Sequence, residues 1–394
     1  MTTKNNIPAG YKDSAVGVIP QEWEVRTFQE CFHISAGRDL KKDCFSHKQT
    51  EYYSYPIFSN SLENKGLYGY TSKPRHKAGC ITITGRGMLG VAEYRRTDFD
   101  AIVRLLVLCP KCQIDGYVVT EYINYRKPFY FESTGVPQLT APQIANIAIP
   151  VPPMEEQRKI AEILGVWDEA IEKQSRLIEK LELRKRALMQ RLLTGRTRLP
   201  GFIDNVQYKK LKPFIVEKSE RNTNQTYTNV LSVTNNRGFI NQAEQFDREV
   251  ASDNTANYKL VHRGQFAYNP SRVNVGSLDL LQTYDLGILS PMYIVFETRP
   301  TMDPKFLFYQ LKSSWFVGHI PMYVQGSVRD SLSFDGLENM RFWIPSLPEQ
   351  KAIAEVLTTA DKEIATHRKK LDALRLQKHG LMQQLLTGKT RVKI

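Results

Sequence analysis

The feature that most constrains this chain is a gapless internal repeat. Residues 156–198 read EQRKIAEILGVWDEAIEKQSRLIEKLELRKRALMQRLLTGRTR, and residues 349–391 read EQKAIAEVLTTADKEIATHRKKLDALRLQKHGLMQQLLTGKTR. The two stretches are offset by a constant 193 positions and are identical at 20 of 43. Identity at this level without a gap indicates a duplication, so the fold has to be argued as one unit used twice.

Both copies of the repeat have the periodicity of a long helix. Apolar residues recur at the alternating 4-3 spacing of a heptad seam. Polar residues interrupt the seam at matching places, which costs stability but fixes register and partner. In the first copy the seam comprises Ile160, Leu164, Trp167, Ile171, Gln174, Ile178, Leu181, Lys185, Leu188 and Leu192. In the second copy it comprises Ile353, Leu357, Ala360, Ile364, His367, Leu371, Leu374, Lys378, Leu381 and Leu385.

Start and stop signals bound each long helix. The entries IPVPPMEEQ and IPSLPEQ are rich in proline, and Glu155, Glu156 and Glu349 suit the positive end of a helix dipole. Each copy ends at LLTG, so Gly195 and Gly388 are predicted C-caps. A helix of about 39 residues is ~60 Å long and cannot bury its seam alone. We expect the two helices to pack antiparallel; the alternative is that each packs on its own domain or on another subunit.

The segments before the long helices repeat more faintly. GCITITGRGMLGV and GQFAYNPSRVNVGS each read as a glycine, a strand and an Arg-x-x-x-Gly element that begins at Arg86 or Arg272. A helix N-capped by Asp115 or Asp303 follows in each half. The strand-like stretches IANIAIPVPP and LENMRFWIPSLP then lead into the long helices.

We therefore predict an α+β chain in which two similar globular α/β domains are joined by two long coiled-coil helices. The predicted parts are a first domain over 1–150, a first repeated helix over 151–195, a linker over 196–205, a second domain over 206–344, a second repeated helix over 345–388 and a tail over 389–394.

Composition bounds the class of protein. The formal net charge of +13 is spread along the chain, and it suits an acidic partner such as nucleic acid or, alternatively, a solvated basic surface. No apolar run predicts a membrane span and the N-terminus has no signal-peptide core, so we expect a cytoplasmic protein. All five cysteines lie in the first third of the chain, which argues against a disulfide framework. They are Cys31, Cys44, Cys80, Cys109 and Cys112.

Several motifs resemble catalytic or cofactor sites but fail their context. The glycines of Gly85–Gly90 match a dinucleotide fingerprint, yet the VAEYRR that follows reads as a strand, whereas a cofactor loop must open a helix. The C-terminal GKT lacks the upstream glycine of a phosphate loop, and YNPS lacks the second proline of an adenine-methyltransferase motif. Cys109-Pro-Lys-Cys112 has no second CxxC; a turn is favoured over half a zinc site or a redox pair. We expect no cofactor and no metal.

These features together resemble the specificity subunit of Type I restriction-modification systems. The resemblance is carried by the IPxPPxxEQxxIAxxL-like start and the LxxxLLTGxxR end of both helices, each preceded by a variable α/β domain, and it covers essentially the whole chain. The resemblance implies that each globular domain is a target-recognition domain reading one half of a bipartite double-stranded DNA site. It also implies that the helices act as a spacer and bind two methyltransferase subunits, that a restriction subunit joins them, and that the chain itself serves phage defence without catalysis.

The family also shows circular pseudo-symmetry. Here the N-terminal GYKDSAVGVIPQEWEV looks like a continuation of the C-terminal TGKTRVKI, whereas the second domain has the shorter entry LPGFIDNVQYKKL. Two similar reading heads on a rigid spacer would match half-sites about one DNA turn, roughly 34–36 Å, apart.

Candidate DNA contacts follow from the chemistry of base and phosphate recognition, which uses Arg, Lys, Asn and Gln on loops and helix ends. In the first domain they are Arg38, Lys41, Lys42, Ser59, Asn60, Lys73, Arg75, Lys77 and Arg86. In the second they are Asn235, Asn236, Arg237, Asn269, Arg272, Asn274 and Arg329. Arg86 and Arg272 stand out because they recur at matching places, although either could instead hold its loop. The candidate spacer and subunit-binding residues are Glu156, Gln157, Trp167, Gln174, Lys185, Glu349, Gln350, His367 and Lys378.

Two other functions remain open from the sequence. One is an enzyme, a diverged DNA methyltransferase or nuclease. The other is a DNA-binding regulator that dimerises through its helices.

Overall fold

The computed structural model describes residues 7–129, 137–204, 206–242, 254–324 and 331–393. It separates into two compact units. The first contains the residues up to 175 together with those from 369 onward, and the second contains residues 176–368. Each unit therefore holds one globular part and one half of each long helix. The finer division into domains, helices and linker stays a prediction.

The first unit is built from short strands and helices before the first long helix. Its strands are β1 (Tyr11–Lys12), β2 (Ile19–Pro20), β3 (Glu24–Thr27), β4 (Phe32–Ala36), β5 (Phe45–Ser46), β6 (Tyr55–Phe58), β7 (Leu67–Thr71), β8 (Ile81–Ile83), β9 (Ala92–Tyr94), β10 (Asp100–Ala101), β11 (Leu106–Pro110) and β12 (Ala148–Val151). Its helices are α1 (Phe28–Cys31), α2 (Gly116–Arg126), α3 (Ala141–Ala145) and the first half of α4 (Met154–Leu192).

The second unit repeats this plan with fewer strands among the described residues. They are β13 (Tyr208–Lys210), β14 (Ile215–Lys218), β15 (Leu231–Thr234), β16 (Gly238–Asn241), β17 (Lys259–His262), β18 (Phe266–Tyr268), β19 (Leu278–Leu280), β20 (Leu286–Leu289), β21 (Ile294–Thr298) and β22 (Arg341–Trp343). The helices are α5 (Pro304–Leu311), α6 (Ser314–His319), α7 (Phe334–Asn339) and α8 (Leu347–Leu385), whose last part belongs to the first unit.

A four-stranded antiparallel sheet with the same strand order forms the centre of each unit. The order is β4-β11-β8-β9 in the first unit and β14-β21-β18-β19 in the second. The helix after the sheet, α2 or α5, contacts the edge strand β9 or β19. The predicted N-caps are confirmed, because Asp115 accepts from the backbone of Tyr117 and Val118 and Asp303 accepts from Phe306. The duplication therefore extends through the globular parts.

The rest of the two globular parts differs. The first unit adds a second sheet of order β10-β6-β7-β5, whereas the second unit has two antiparallel strand pairs, β15-β16 and β17-β20. The predicted strands before the long helices are present as β12, which pairs with β3, and β22, which pairs with β13. Divergence is thus concentrated away from the helices.

The long helices match the predicted repeat closely. Each is 39 residues long, and all the predicted seam positions are buried or half-buried. Neither they nor any other helix among the described residues is both long and apolar enough to cross a membrane.

The first long helix ends at Leu192 and the second at Leu385, three residues before Gly195 and Gly388. Both glycines have the predicted left-handed conformation, with φ of +70° and +69°, but lie beyond the last helical residue.

Ion pairs inside each unit show that α4 and α8 run antiparallel. In the first unit, Lys378 Nζ lies 2.7 Å from Asp168 Oδ1, and Arg391 binds Glu156, which is earlier on α4. In the second unit, Lys185 Nζ lies 2.5 Å from Asp361 Oδ1. Arg368, which is later on α8, binds Glu182, which is earlier on α4. The antiparallel prediction is confirmed, and the two lysines that interrupt the seam are both paired.

A buried glutamate at the start of one helix binds an arginine just beyond the end of the other. In the second unit the Arg198 guanidinium donates to both carboxylate oxygens of Glu349, at 2.7 and 2.6 Å. In the first unit Arg391 donates to both oxygens of Glu156, at 2.8 and 3.0 Å, and Trp23 Nε1 adds a third donor at 2.8 Å. Both glutamates are fully buried. We call each Arg–Glu pair a clasp.

The glutamine next to each clasp joins the long helix to the globular part. Gln157 Oε1 accepts from the backbone N–H of Asp115 at 2.7 Å, and its amide donates to the carbonyl of Pro152. Gln350 Oε1 accepts from the N–H of Asp303 at 2.8 Å, and its amide donates to Pro345. The repeated Glu-Gln pair therefore holds both the opposite helix and the N-terminus of α2 or α5.

The cysteines require a correction. Their distribution led us to expect no disulfide framework, but Cys80 and Cys109 form a disulfide. The two residues flank positions that face each other across β8 and β11, where Ile81 lies opposite Leu108. This adjacency depends on strand pairing, which the 29-residue separation in sequence does not reveal. Cys112 is a free thiol, so Cys109-Pro-Lys-Cys112 is not a redox pair in this structure.

Breaking a clasp should destabilise the second unit. Arg198→Ala would leave the carboxylate of Glu349 buried without its cation. We therefore expect the free energy of unfolding to drop by roughly 2–3 kcal/mol. This loss is smaller than is usual for a broken buried ion pair, because the Arg198 side chain is partly exposed. Urea unfolding followed by circular dichroism measures the change. Replacing Arg198 and Glu349 together with Met should recover most of the loss, and Lys173→Ala, in an exposed pair, should have no measurable effect. Unaltered stability of Arg198→Ala would contradict the clasp's role.

Candidate nucleic-acid interface

One end of the central sheet gathers two loops in each unit. In the first unit, β8 and β11 are antiparallel with Ile83 opposite Leu106, so the β8–β9 loop lies beside the turn that precedes β11. In the second unit, Tyr268 lies opposite Ile294, so the β18–β19 loop lies beside the turn that precedes β21. The loops that carry Arg86 and Arg272 are therefore at equivalent places, as their sequences suggested.

The glycines of the β8–β9 loop form a hairpin connection and do not open a helix. The strand after them is β9, with Ala92 opposite Ile83. Gly87 and Gly90 have φ of +69° and +77°. A Cβ on Gly90 would lie 2.5 Å from the ring of Phe129, so that position has no room for a side chain. The strand predicted after Gly85–Gly90 is confirmed, and the loop lacks the helix N-terminus that a dinucleotide site requires.

In the second unit, five of the predicted DNA-contacting residues line one cleft of about 410 Å³. Asn235, Asn236 and Arg237 form the exposed turn between β15 and β16, and Asn269 and Arg272 come from the β18–β19 loop. The remaining described candidate in that loop, Asn274, is exposed but does not line the cleft. A concave surface with several amide and guanidinium groups provides the donors and acceptors that base edges and phosphates require.

The hairpin that presents this turn is held firmly against the central sheet. Asp279 on β19 accepts from the backbone N–H of Phe239 at 3.0 Å, and burial raises the pKa of the Asp279 carboxyl. A Cβ on Gly238, where φ is +63°, would lie 1.7 Å from that carboxylate. Ser277 Oγ also donates to the carbonyl of Val233 at 2.8 Å. These contacts fix the turn in front of the β18–β19 loop.

In the first unit, Asn60 joins the two loops at the end of the sheet. Its Nδ2 donates to the carbonyl of Val103 at 2.6 Å, and its Oδ1 accepts from the N–H of Gly85 at 2.8 Å. The N–H of Arg38 donates to Ala101 nearby. Asn60 thus has a structural role that its sequence context did not reveal, and its predicted contact with DNA stays a prediction.

Other candidates of the first unit lie on different turns or already have partners. Arg75 forms an ion pair with Asp100 at 2.5 Å, and Lys77 binds Asp98 at 2.8 Å. Ser59 Oγ donates to the backbone of Gly66 at 3.4 Å. The structure does not gather all candidates into one surface. Three further lysines, all exposed and on other segments of the first unit, are Lys41, Lys42 and Lys73. In the second unit, Arg329 lies outside the described residues.

The candidate spacer residues occupy the seam and its ends. Gln174 is buried, and Trp167 and His367 are half-buried. Trp167 corresponds to Ala360 in the second copy, and Ala360 lines an open groove of about 470 Å³ together with Leu181, Leu188 and Val356. Whether any of these residues binds a partner subunit stays a prediction.

Comparison with known proteins now identifies the family. The Type I restriction modification DNA specificity domain matches the chain twice, over residues 20–183 and 207–376. The chain belongs to this family. The two matches cover both globular parts and most of both long helices, in agreement with the duplication and with the resemblance noted from the sequence.

Relatives of similar length carry the same family description. The putative type I restriction enzyme MjaX specificity subunit of Methanocaldococcus jannaschii is 25% identical over 427 aligned positions, which cover 97% of each chain. The putative type I specificity subunit S.MpnORF507P of Mycoplasma pneumoniae is 24% identical, over 85% of this chain and 88% of that protein.

Solved structures share the fold of this specificity-family chain. The crystal structure of the S subunit of a Type I restriction-modification system from M. genitalium has a TM-score of 0.61 at 16% identity, covering 98% of both chains. A chain from a structural study of complex assembly and conformational transition of the type I system has a TM-score of 0.54, also at 16% identity, covering 94% of this chain and 99% of that chain.

Sequence reasoning missed the turn that precedes β11 and its counterpart before β21. The first contains Val103 and Arg104, and the second contains Met292, which accepts a contact from Asn269 Nδ2 at 3.4 Å. Val103 and Arg104 both have positive φ. No residue type in that stretch signals such a turn, because valine and arginine rarely adopt this conformation.

Removing the Asn60 side chain should loosen both loops at the end of the sheet. Asn60→Ala would leave the Gly85 N–H without its acceptor, so that amide should exchange with solvent faster, and stability should fall by about 1–3 kcal/mol. Hydrogen exchange of the Gly85 amide measures the effect directly. Lys73→Ala, on an exposed turn, is the matched control and should leave that amide protected. Unchanged protection in Asn60→Ala would show that the loops do not depend on it.

Proposed function

We propose that this chain is the non-catalytic, cytoplasmic specificity subunit of a Type I restriction-modification complex, and that it reads a bipartite double-stranded DNA target. In this proposal it assembles with two methyltransferase subunits and a restriction subunit, which supply methylation and cleavage. The observation that carries the proposal is the repetition, in both units, of an arginine-bearing loop, with Arg86 or Arg272, at the same end of the central sheet.

The chemistry of the second unit suits recognition of base edges. Asparagine can bind adenine through its N6 and N7 positions, and arginine can bind guanine through O6 and N7. Asn235, Asn236, Arg237 and Arg272 are available for such contacts because they are exposed around one cleft. In the first unit Arg38 and Arg86 are the corresponding donors, and the exposed lysines would hold phosphates. Because the loops of the two units differ, each unit would read a different half-site.

The long helices suit a spacer of fixed length. Lys185 pairs with Asp361 in the second unit and Lys378 pairs with Asp168 in the first, and both ion pairs lie in seams that are mostly apolar. A helix pair shifted along its axis would leave such charges unpaired, so the pairs favour a single register. Each helix passes from one unit into the other, after Ser175 and after Arg368. A fixed register would then fix the number of unread base pairs between half-sites.

The purified chain alone should neither methylate nor cleave DNA. Incubation with DNA, methyl donor and Mg²⁺ tests this, and addition of the methyltransferase subunit should produce methylation at one bipartite motif. Co-purification of the two subunits is the accompanying measurement. Catalysis by the chain alone would favour a diverged enzyme, and failure to bind a methyltransferase subunit would favour a DNA-binding regulator.

Lengthening both helices should change the spacing of the methylated half-sites. Insertion of seven residues after Ser175 and seven after Arg368 adds about 10 Å of helix, or up to about 3 base pairs along DNA. Sequencing of methylated sites in cells that express the variant with its methyltransferase measures the spacer. Seven residues inserted after Gly201, outside both helices, form the control and should leave the spacer unaltered. The proposal that the helices set the spacer fails if the helix insertions leave the spacer length unaltered while methylation persists.

A further inference from the structure

The turn that precedes β11 has a backbone conformation that is unusual for its residues. Val103 and Arg104 have φ of +54° and +58°, and the Leu105 N–H donates to the Ile102 carbonyl at 3.1 Å to close the turn. Residues with side chains rarely adopt left-handed conformations, and two in succession are rarer because each crowds its own Cβ. Both residues are exposed, so burial of their side chains does not explain the conformation.

Backbone contacts from the neighbouring loops hold this turn in place. The N–H of Val103 donates to the carbonyl of Arg38 at 3.2 Å, and the N–H of Arg104 donates to Gly37 at 3.0 Å. The Val103 carbonyl accepts from Asn60, which also binds the β8–β9 loop through Gly85. Strained turns persist where their surroundings determine them this strongly, and they concentrate at binding sites.

The side chain of Arg104 is the part of the turn that remains available. It is exposed, and among the described residues it forms no hydrogen bond or ion pair. Arg38 and Arg86 lie on the segments tied to the same turn and likewise have no side-chain partner there. The rigid turn fixes the direction in which the Arg104 side chain leaves the backbone, and the planar fork of a guanidinium suits a bidentate contact.

The second unit gives independent support for this position. Its equivalent turn, closed by the Tyr293 N–H donating to Ser290 at 3.0 Å, precedes β21 just as the first precedes β11. Tyr293 lines the cleft that holds Asn235 and Arg272. The turn before the central strand therefore borders the candidate reading surface of the second unit, where Met292 takes the place of Arg104.

We propose that Arg104 determines sequence specificity in the first unit, by donating two hydrogen bonds to O6 and N7 of one guanine in the major groove. This inference rests on the proposed function, because it assumes that the first unit reads a half-site. Arginine bound to guanine in this way is a common route to base discrimination in the major groove.

The test uses the full chain expressed with its methyltransferase, followed by sequencing of methylated sites. Arg104→Gly removes the side chain and suits the left-handed backbone, and Arg104→Lys keeps the charge without the bidentate geometry. Lys111→Ala removes one exposed charge at the other end of β11 and is the control. Both Arg104 variants should lose the preference for G·C at one position of one half-site and leave the other half-site unchanged. Lys111→Ala should keep the whole motif.

Binding to synthetic DNA then identifies the contacted atom. The wild-type complex should bind its site about 5- to 150-fold more tightly than Arg104→Gly does. Replacing the identified guanine with 7-deazaguanine should weaken wild-type binding but add little to the loss in Arg104→Gly, because N7 no longer has its donor in the variant.

Three outcomes would overturn the inference. One is that Arg104→Gly methylates the same DNA motif, and binds the DNA site with the same affinity, as Lys111→Ala does. Another is weaker methylation at every site with the motif intact, which indicates a phosphate contact. The third is full retention of specificity in Arg104→Lys. A wild-type chain that yields no bipartite motif at all would instead overturn the proposed function, and this inference with it.

Discussion

The buried ion pair at each junction of the two long helices is the contact on which the rest of the structure depends. Removing a carboxylate such as Glu156 or Glu349 from water is costly, so each has to meet its arginine. Arg391 reaches Glu156 in the first unit, and Arg198 reaches Glu349 in the second. We interpret the clasps as devices that select an alignment, since buried ion pairs add little stability over apolar packing.

Ion pairs and hydrogen bonds also join the long helices to the helix of each globular part, α2 or α5. In the first unit Lys378 lies 2.6 Å from Glu121 on α2 as well as close to Asp168, which accepts from Tyr117. Burial raises the pKa of Glu121, and the nearby lysine opposes that rise. In the second unit Asp361 accepts from Tyr309 at 2.8 Å and from Lys185. One carboxylate thus fixes the opposite helix and the helix of the globular part together.

The sequence predicted the helical elements, which follow from periodicity and from the internal repeat. It did not predict the contacts that form only when particular strands pair. The two 39-residue helices, their seams and the N-caps Asp115 and Asp303 follow from local spacing, so they could be read directly. The Cys80–Cys109 disulfide and the two bonds of Asn60 depend on which strands become neighbours, and no local signal carries that information. The residues that line the cleft were predicted as separate DNA contacts, but the cleft itself was not. Asn235 and Arg272 come together only when the β15–β16 hairpin packs onto the central sheet.

Under the proposed function, duplication followed by local divergence would let one chain hold two domains that read different half-sites. The clasps, the Glu-Gln pairs and the strand order of the central sheet occur in both units. Each residue of a clasp or a Glu-Gln pair contacts a partner residue, so a substitution at one would require a matching substitution at the other. The Arg104 side chain, on the left-handed turn of the first unit, has no such partner among the described residues, and Met292 takes its place beside a cleft of asparagines in the second unit. Under the proposed function, substitution in the turns that carry them would alter which bases are contacted while the contacts that set helix register remain intact. The specificity of each half-site would then change independently of the spacing between them.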